Sequence, residues 1–200
     1  MSIFTACILI AFVICYFWRM DFEILHTERL LLRKSSIAEF HYIFKHYTDE
    51  ELKAFFGLTT DEELQKEKDK YTNGYTSYNR SFLLFHLIDK ATQQNIGACG
   101  FHNWFAMHNR SEIGYHLRDD NNKRKGFMKE ALETIIAYGF NNMNLNRIEA
   151  VISPKNEPSL RLAKHYNFKK EGYLKEHYCV DGVPEDSVIF GLLKKEYLAQ

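Results

Sequence analysis

Lys123, Arg124 and Lys125 stand directly before Gly126, and from Gly126 onward Met128, Ala131, Leu132, Ile135 and Ile136 recur at the spacing of one helical face. A helix N-terminus leaves about four backbone N–H groups without intrahelical acceptors and carries about half a positive charge, so it seats anions. A glycine there lets a ligand come close to the backbone, and lysine and arginine add an attraction suited to phosphate. The chemistry indicated is recognition of a diphosphate; a plain solvated charge run fits the same residues. Neither GxxxxGK[ST] nor GxGxxG occurs in the chain, so the two common nucleotide signatures lend no support.

Groups able to move protons lie on either side of that stretch. Residues 110 to 117 (RSEIGYHL) alternate, placing Glu112, Gly114 and His116 on one face of a strand and Ile113, Tyr115 and Leu117 on the other. Downstream, Asn156 and Ser159 in "SPKNEPS" stand at a helix start, where capping is their ordinary work. His102 reads as a strand histidine near a cleft mouth or a structural one, Cys99 as buried packing and Tyr166 as core.

The elements that must position these groups follow from periodicity and punctuation. "TERLLLR" (27 to 33) predicts a first strand, and Ser36 with Glu39 forms a capping box for a helix through Phe40, Ile43 and Phe44. A polar helix is expected from Asp61 to about Tyr71. Ser81 to Ile88 is apolar on both faces, as in a central strand, and "DKATQQN" turns it into a hairpin with Ile96 to Phe101. After the long helix come a strand at Arg147 to Ile152, a short helix at Leu160 to Tyr166, and two strands, about 168 to 178 and 186 to 193, joined by "DGVPED". The order predicts a mixed α+β sheet covered by helices.

The chain of 200 residues suits one domain, and 26 acidic residues balance 26 basic ones, which gives no general attraction to nucleic acid or to an anionic membrane. The four cysteines form no CxxC pair, so free thiols in a reducing compartment are expected, with no zinc site. Residues 2 to 18 carry no charge and reach the lower limit for a membrane span, about 17 residues. Two readings stay open: residues 1–19 anchor a cytoplasm-facing domain in the inner membrane, or Met20 is the true start of a cytoplasmic protein. Either way, residues 20–200 form the single folded unit.

The run "SEIGYHL", "KRKGFMKEALETIIAYGF", "RIEAVISPKNEPSLRLAKHYNF", with "TERLLLR" before it and "DGVPEDSVIFGLLKKEY" after it, resembles the GCN5-related N-acetyltransferase superfamily in its RimJ/RimL-like branch. The resemblance covers about residues 24 to 197. It implies a mixed, mostly antiparallel sheet of seven strands with helices on both faces and a cofactor arm lying in a splay between central strands. The family motif Q/R-x-x-G-x-G/A falls on Lys123, Arg124, Lys125, Gly126, Phe127 and Met128, with lysine for the usual Gln/Arg and methionine for the second glycine. In relatives this loop's amides hold the pyrophosphate of acetyl-CoA. His116, Leu117 and Arg118 are then implied to run beside the pantetheine arm, and Asn156 and Ser159 to lie near the thioester.

The implied activity is acetyl transfer from acetyl-CoA, as co-substrate and without a metal, to a primary amine by direct attack in a ternary complex. A small amine and a protein N-terminus are both open as acceptor, nucleic acid is not expected as a partner, and the oligomeric state is open with a dimer among the options. Many relatives carry a tyrosine acid seven residues after the motif asparagine; here that position is Ala163. Ser159 is left as the donor to the departing thiolate and Glu112 as the base, acting through water. The alternative is a non-catalytic acyl-CoA-binding regulatory domain.

Overall fold

The computed structural model describes residues 21–73 and 81–199, so the apolar leader lies outside the described residues. Eight strands form one sheet: β1 (Ile24–His26), β2 (Leu30–Ser35), β3 (Ser81–Asp89), β4 (Asn95–Phe105), β5 (Arg110–Leu117), β6 (Arg147–Ile152), β7 (Lys169–Val180) and β8 (Val183–Leu193). Their order is β1-β2-β3-β4-β5-β6-β8-β7, antiparallel except for the parallel pair β5/β6. The sheet therefore has eight strands where seven were expected. The addition is β1, three residues long and paired with β2 at the edge, too short to show a period in the sequence.

Among the described residues six α-helices accompany the strands: α1 (Ile37–His46), α2 (Asp49–Phe56), α3 (Asp61–Asn73), α4 (Phe127–Asn141), α5 (Glu157–His165) and α6 (Lys194–Tyr197). The Ser36/Glu39 capping box opens α1 as its spacing predicted. A second box, Thr48 with Glu51, opens α2, and Gly57 closes it at φ 72°, a left-handed conformation that a side chain would strain. That helix was not anticipated, although T-x-x-E was there to be read.

Two apolar cores lie on opposite faces. On one, Met128, Ala131, Leu132, Ile135, Ile136 and Phe140 of α4 are buried against Leu30, Leu32, Phe85, Phe101, Ile113 and Ile148 of the sheet. Burying each of the larger side chains is worth about 1.5–3 kcal/mol, and Ile135→Ala at this fully buried position is expected to cost about 2–5 kcal/mol. On the other face Phe40, Ile43, Leu52, Phe55, Phe56, Leu64 and Phe82 bring α1, α2 and α3 together. No helix among the described residues is long and apolar enough to cross a membrane.

The step that makes room for a ligand is in the register. β5 and β6 pair only at Arg110, Ser111 and Glu112 with Arg147, Ile148 and Glu149. Beyond Glu112, β5 continues to Leu117 beside β4 alone, while β6 continues to Ile152 beside β8 alone. The sheet splits there, leaving the backbone edge of Ile113 to Leu117 without a strand on that side.

Candidate active site

The basic loop meets the split sheet at the start of α4. Gly126 is the N-cap at φ 83° and Arg124 lies at φ 60°, two left-handed residues separated by one. From Arg124 to Lys129 no backbone N–H has an acceptor among the described residues; regular pairing resumes with Glu130 N–H to the Gly126 carbonyl, 3.0 Å. Six consecutive donors at a helix start suit the diphosphate of a coenzyme. Phe127 and Met128 are each 8% exposed, their side chains in the core, so they offer only backbone. That explains how methionine is tolerated where relatives have glycine: its side chain points away from the loop. Lys123 pairs with Asp120 at 2.5 Å, whereas Arg124 and Lys125 are exposed.

Along the free edge of β5, His116 and Arg118 expose much of their surface, yet the crowded groove beneath still acts on both. Desolvation, with the charge of Arg118, lowers the His116 imidazole. Desolvation likewise lowers Arg118, opposed by Glu67 and Glu63 of α3. Leu117 is half-buried between them and the core.

Ala163 and Tyr115 line one cleft with Ile113, Leu132 and Tyr166, on the α4 side of the split. Ala163 is buried, and the vacated tyrosine position is not refilled by Tyr166, whose hydroxyl donates to the Lys129 carbonyl and ties α5 to α4. The group that sequence reasoning missed is Tyr115, whose hydroxyl lies close enough to Ser159 for the serine to act on it. Burial, the larger influence, raises the phenol above its ordinary value and the serine offsets part of the rise. Alternation had assigned Tyr115 to the packed face, and nothing local reveals that a serine 44 positions on meets it. Asn156 caps α5, its Oδ1 accepting from Ser159 N–H at 3.2 Å. The asparagine is thus a cap in this structure, and its position fixes the turn that carries Ser159.

Glu112 lies on the opposite face. Its Oε1 is 3.2 Å from His102 Nε2, and Oε2 accepts from Asn103 Nδ2 at 3.0 Å. Asn103 reaches it because β4 bulges between His102 and Phe105, with Asn103 at φ 47°. Burial, the largest single influence, pushes the Glu112 carboxyl up; the hydrogen bonds from His102 and Asn103, with the charges of His102 and His177, outweigh it and leave the group below its usual value. A carboxylate ionised at neutral pH follows. His177 comes near because β7 has its own irregularity between Leu174 and Tyr178, where Glu176 adopts φ 49° and its N–H meets Asp186 Oδ1 at 2.8 Å. Small residues clear the floor: Gly114 follows Glu112 on this face, and a Cβ there would meet the His102 ring at 2.9 Å. Cys99 is fully buried, and burial alone pushes its thiol far up, so it offers no nucleophile.

These parts are a run of free amides at a helix start, an open strand edge leading from it, and a carboxylate on the opposite face of the sheet from Tyr115 and Ser159. A family model described as an acetyltransferase (GNAT) domain matches residues 29–169. The uncharacterized N-acetyltransferase p20 of Bacillus licheniformis is 36% identical over 176 residues, 88% of this chain and 98% of the relative. YoaA, an uncharacterized N-acetyltransferase of Bacillus subtilis, is 30% identical over 174 residues, 86% of this chain and 98% of its own length. A solved GNAT-family acetyltransferase from Bacillus anthracis superposes with a TM-score of 0.61 at 25% identity, covering 87% of this chain and 100% of that one. On the family match and these relatives, the chain belongs to the GNAT acetyltransferases and is an acetyl-CoA-dependent N-acetyltransferase.

Proposed function

We propose that this chain acetylates a primary amine, either a small amine or a protein N-terminus, by direct attack of the amine within a ternary complex. The observation that carries the reading is the run of six N–H groups, Arg124 to Lys129, without acceptors among the described residues, beside a sheet that splits directly after Glu112. The amides of that run would hold the diphosphate, His116, Leu117 and Arg118 would flank the pantetheine arm, and Asn156 and Ser159 would stand near its end. Acetyl-CoA supplies an activated thioester; the remaining work falls to the chain. Glu112, ionised, takes through a water the proton that the amine loses as its nitrogen bonds to the carbonyl carbon. Ser159 donates a hydrogen bond to the sulfur as the C–S bond breaks, with the Tyr115 hydroxyl beside it. No covalent enzyme intermediate is needed. Residues 20–200 act as one unit, and the lack of CxxC pairs supports a reducing, cytoplasmic setting.

The test is acetyl-CoA consumption by the full chain with a panel of small amines and peptides with free N-termini, repeated for Glu112→Gln and Ser159→Ala. Turnover on some amine, lowered in both variants, supports the reading. Tight CoA binding with no turnover on any amine would replace it with the regulatory-domain reading, which the buried Ala163 at the usual acid position favours.

A further inference from the structure

The loop's geometry raises a question that the six free donors do not answer. Gly126 at φ 83° permits the bend, but a glycine also makes rotation of the preceding peptide cheap. Turning the Lys125–Gly126 plane over would swing one N–H out of the seat and a carbonyl in, replacing attraction to phosphate with repulsion. Something outside the loop must prevent this.

Arg29, from the connection between β1 and β2, stands at that peptide. Its Nη1 donates to the Lys125 carbonyl at 2.9 Å, and its Nη2 lies 3.3 Å from where a Gly126 Cβ would be. The guanidinium is itself fixed. Its Nε pairs with Glu130 Oε2 at 2.7 Å, and its plane covers the Phe127 ring at 4.6 Å. The Glu130 Oε1 also accepts the Arg29 backbone N–H and the Thr27 hydroxyl, each at 2.6 Å. A trans peptide is planar with its C=O and N–H pointing oppositely, so holding the Lys125 oxygen toward Arg29 aims the Gly126 N–H the other way. The same pairing offsets the Glu130 carboxylate, which would otherwise stand as a negative charge in the first turn of a helix that has to accept an anion.

We propose that Arg29 is a positioning residue for the coenzyme's diphosphate, locking the Lys125–Gly126 peptide so that its N–H faces the seat, with Glu130 and Thr27 holding the lock. The proposal rests on the assignment of this loop to the diphosphate. It gives "TERLLLR" a role beyond that of a strand: Thr27 and Arg29 stand 101 or more positions from Glu130 and still share its carboxylate.

The experiment compares CoA with pantetheine, which has the thiol arm and no phosphates, as ligands of the full chain. Dissociation constants come from calorimetry for CoA and from ligand-observed NMR for pantetheine, with melting temperatures taken alongside. Arg29→Gln is expected to weaken CoA about tenfold, the worth of one charge-assisted hydrogen bond, and to leave pantetheine unchanged. Arg29→Lys keeps a cation beside Glu130 but lacks the fork that bridges it to the Lys125 carbonyl. It is expected to stay folded and still lose most of CoA's advantage, so it carries the test if Arg29→Gln does not fold. A CoA-to-pantetheine ratio unaltered in folded variants overturns the lock, as does equal weakening of both ligands, which marks a purely structural role. If the natural chain binds CoA no better than pantetheine, the seat assignment itself fails and the lock falls with it.

Discussion

The two faces of the sheet use their residues in opposite ways. On the α4 face nearly every side chain packs, and what remains for a ligand is backbone: the Arg124 to Lys129 amides and the open edge of β5. On the α1 to α3 face, beside the phenylalanine-rich core, rows of polar side chains reach across strands. Arg33, His86, Ala98 and His116 form one row in register, and His102, Glu112 and Glu149 form another. That face also holds buried polar atoms, Arg33 Nε, Ser35 Oγ and His86 Nε2, that have no hydrogen-bond partner among the described residues. On the proposed reading the cofactor side is set by main-chain geometry, which many sequences can supply, and the acceptor side by particular side chains.

If the faces have separate tasks, variants on each should fail in separate ways. The largest expected effect is Glu112→Gln: loss of a general base costs about 10²–10⁴ in kcat, with CoA affinity unchanged by calorimetry. Gly126→Val reverses the pattern. A β-branched residue is strained at φ 83° and presses on the Arg29 guanidinium, 3.3 Å from its Cβ, so the loop must shift, and losing two charge-assisted hydrogen bonds corresponds to about a hundredfold or more in the CoA dissociation constant. An amine-saturated kcat that collapses in Gly126→Val even at saturating acetyl-CoA would show that the two sides are not separable.

The same contrast explains what could be read in the sequence. The basic loop, the helix after it and the alternation of β5 lie within one continuous stretch, where periodicity speaks directly, and the Ser36 box is likewise local. The split of the sheet, by contrast, depends on where β5 and β6 cease to pair, and the Glu112 site depends on a bulge at Asn103 and an irregular β7. The first is a register event between strands separated by a long helix, and the other two are irregularities inside the β4/β5 and β7/β8 hairpins; no residue spacing encodes any of them. Tyr115 and Arg29 read locally as a packed residue and a strand residue; only contacts across 44 and 96 positions give them other work.

A smaller effect probes the buried polarity of the α1 to α3 face. Asn95 Nδ2 donates to the Phe55 carbonyl at 2.8 Å and faces His86 Nδ1 at 3.2 Å, so Nδ1 accepts and the ring hydrogen sits on the unpartnered Nε2. Burial, then the charges of Arg33, Arg118 and His116, holds His86 well below the ordinary histidine value. The native state therefore binds fewer protons here than the unfolded chain, and stability falls as pH drops through the unfolded value of about 6.5, at about 1.4 kcal/mol per pH unit. Thermal melts of the natural chain between about pH 7.5 and 5 should show this loss, and His86→Gln, which cannot titrate, should flatten the slope. An unchanged slope in the variant would assign the acid sensitivity elsewhere.

The smallest expected effect lies where the two faces meet, at the hydroxyl pair in the split. Tyr115→Phe keeps the ring and its packing while removing the oxygen that orients Ser159, so stability and CoA affinity should hold within experimental error. The kcat should fall about threefold to tenfold, the net worth of one hydrogen bond of about 0.5–1.5 kcal/mol. The decisive comparison is a double-mutant cycle with Ser159→Ala. If the tyrosine acts only by orienting the serine, Tyr115→Phe costs nothing further once the serine hydroxyl is gone. If the double variant is slower than Ser159→Ala by the full factor, the phenol, kept protonated by its burial, contributes to the leaving thiolate in its own right. The vacancy at Ala163 would then have been filled from the sheet side of the cleft.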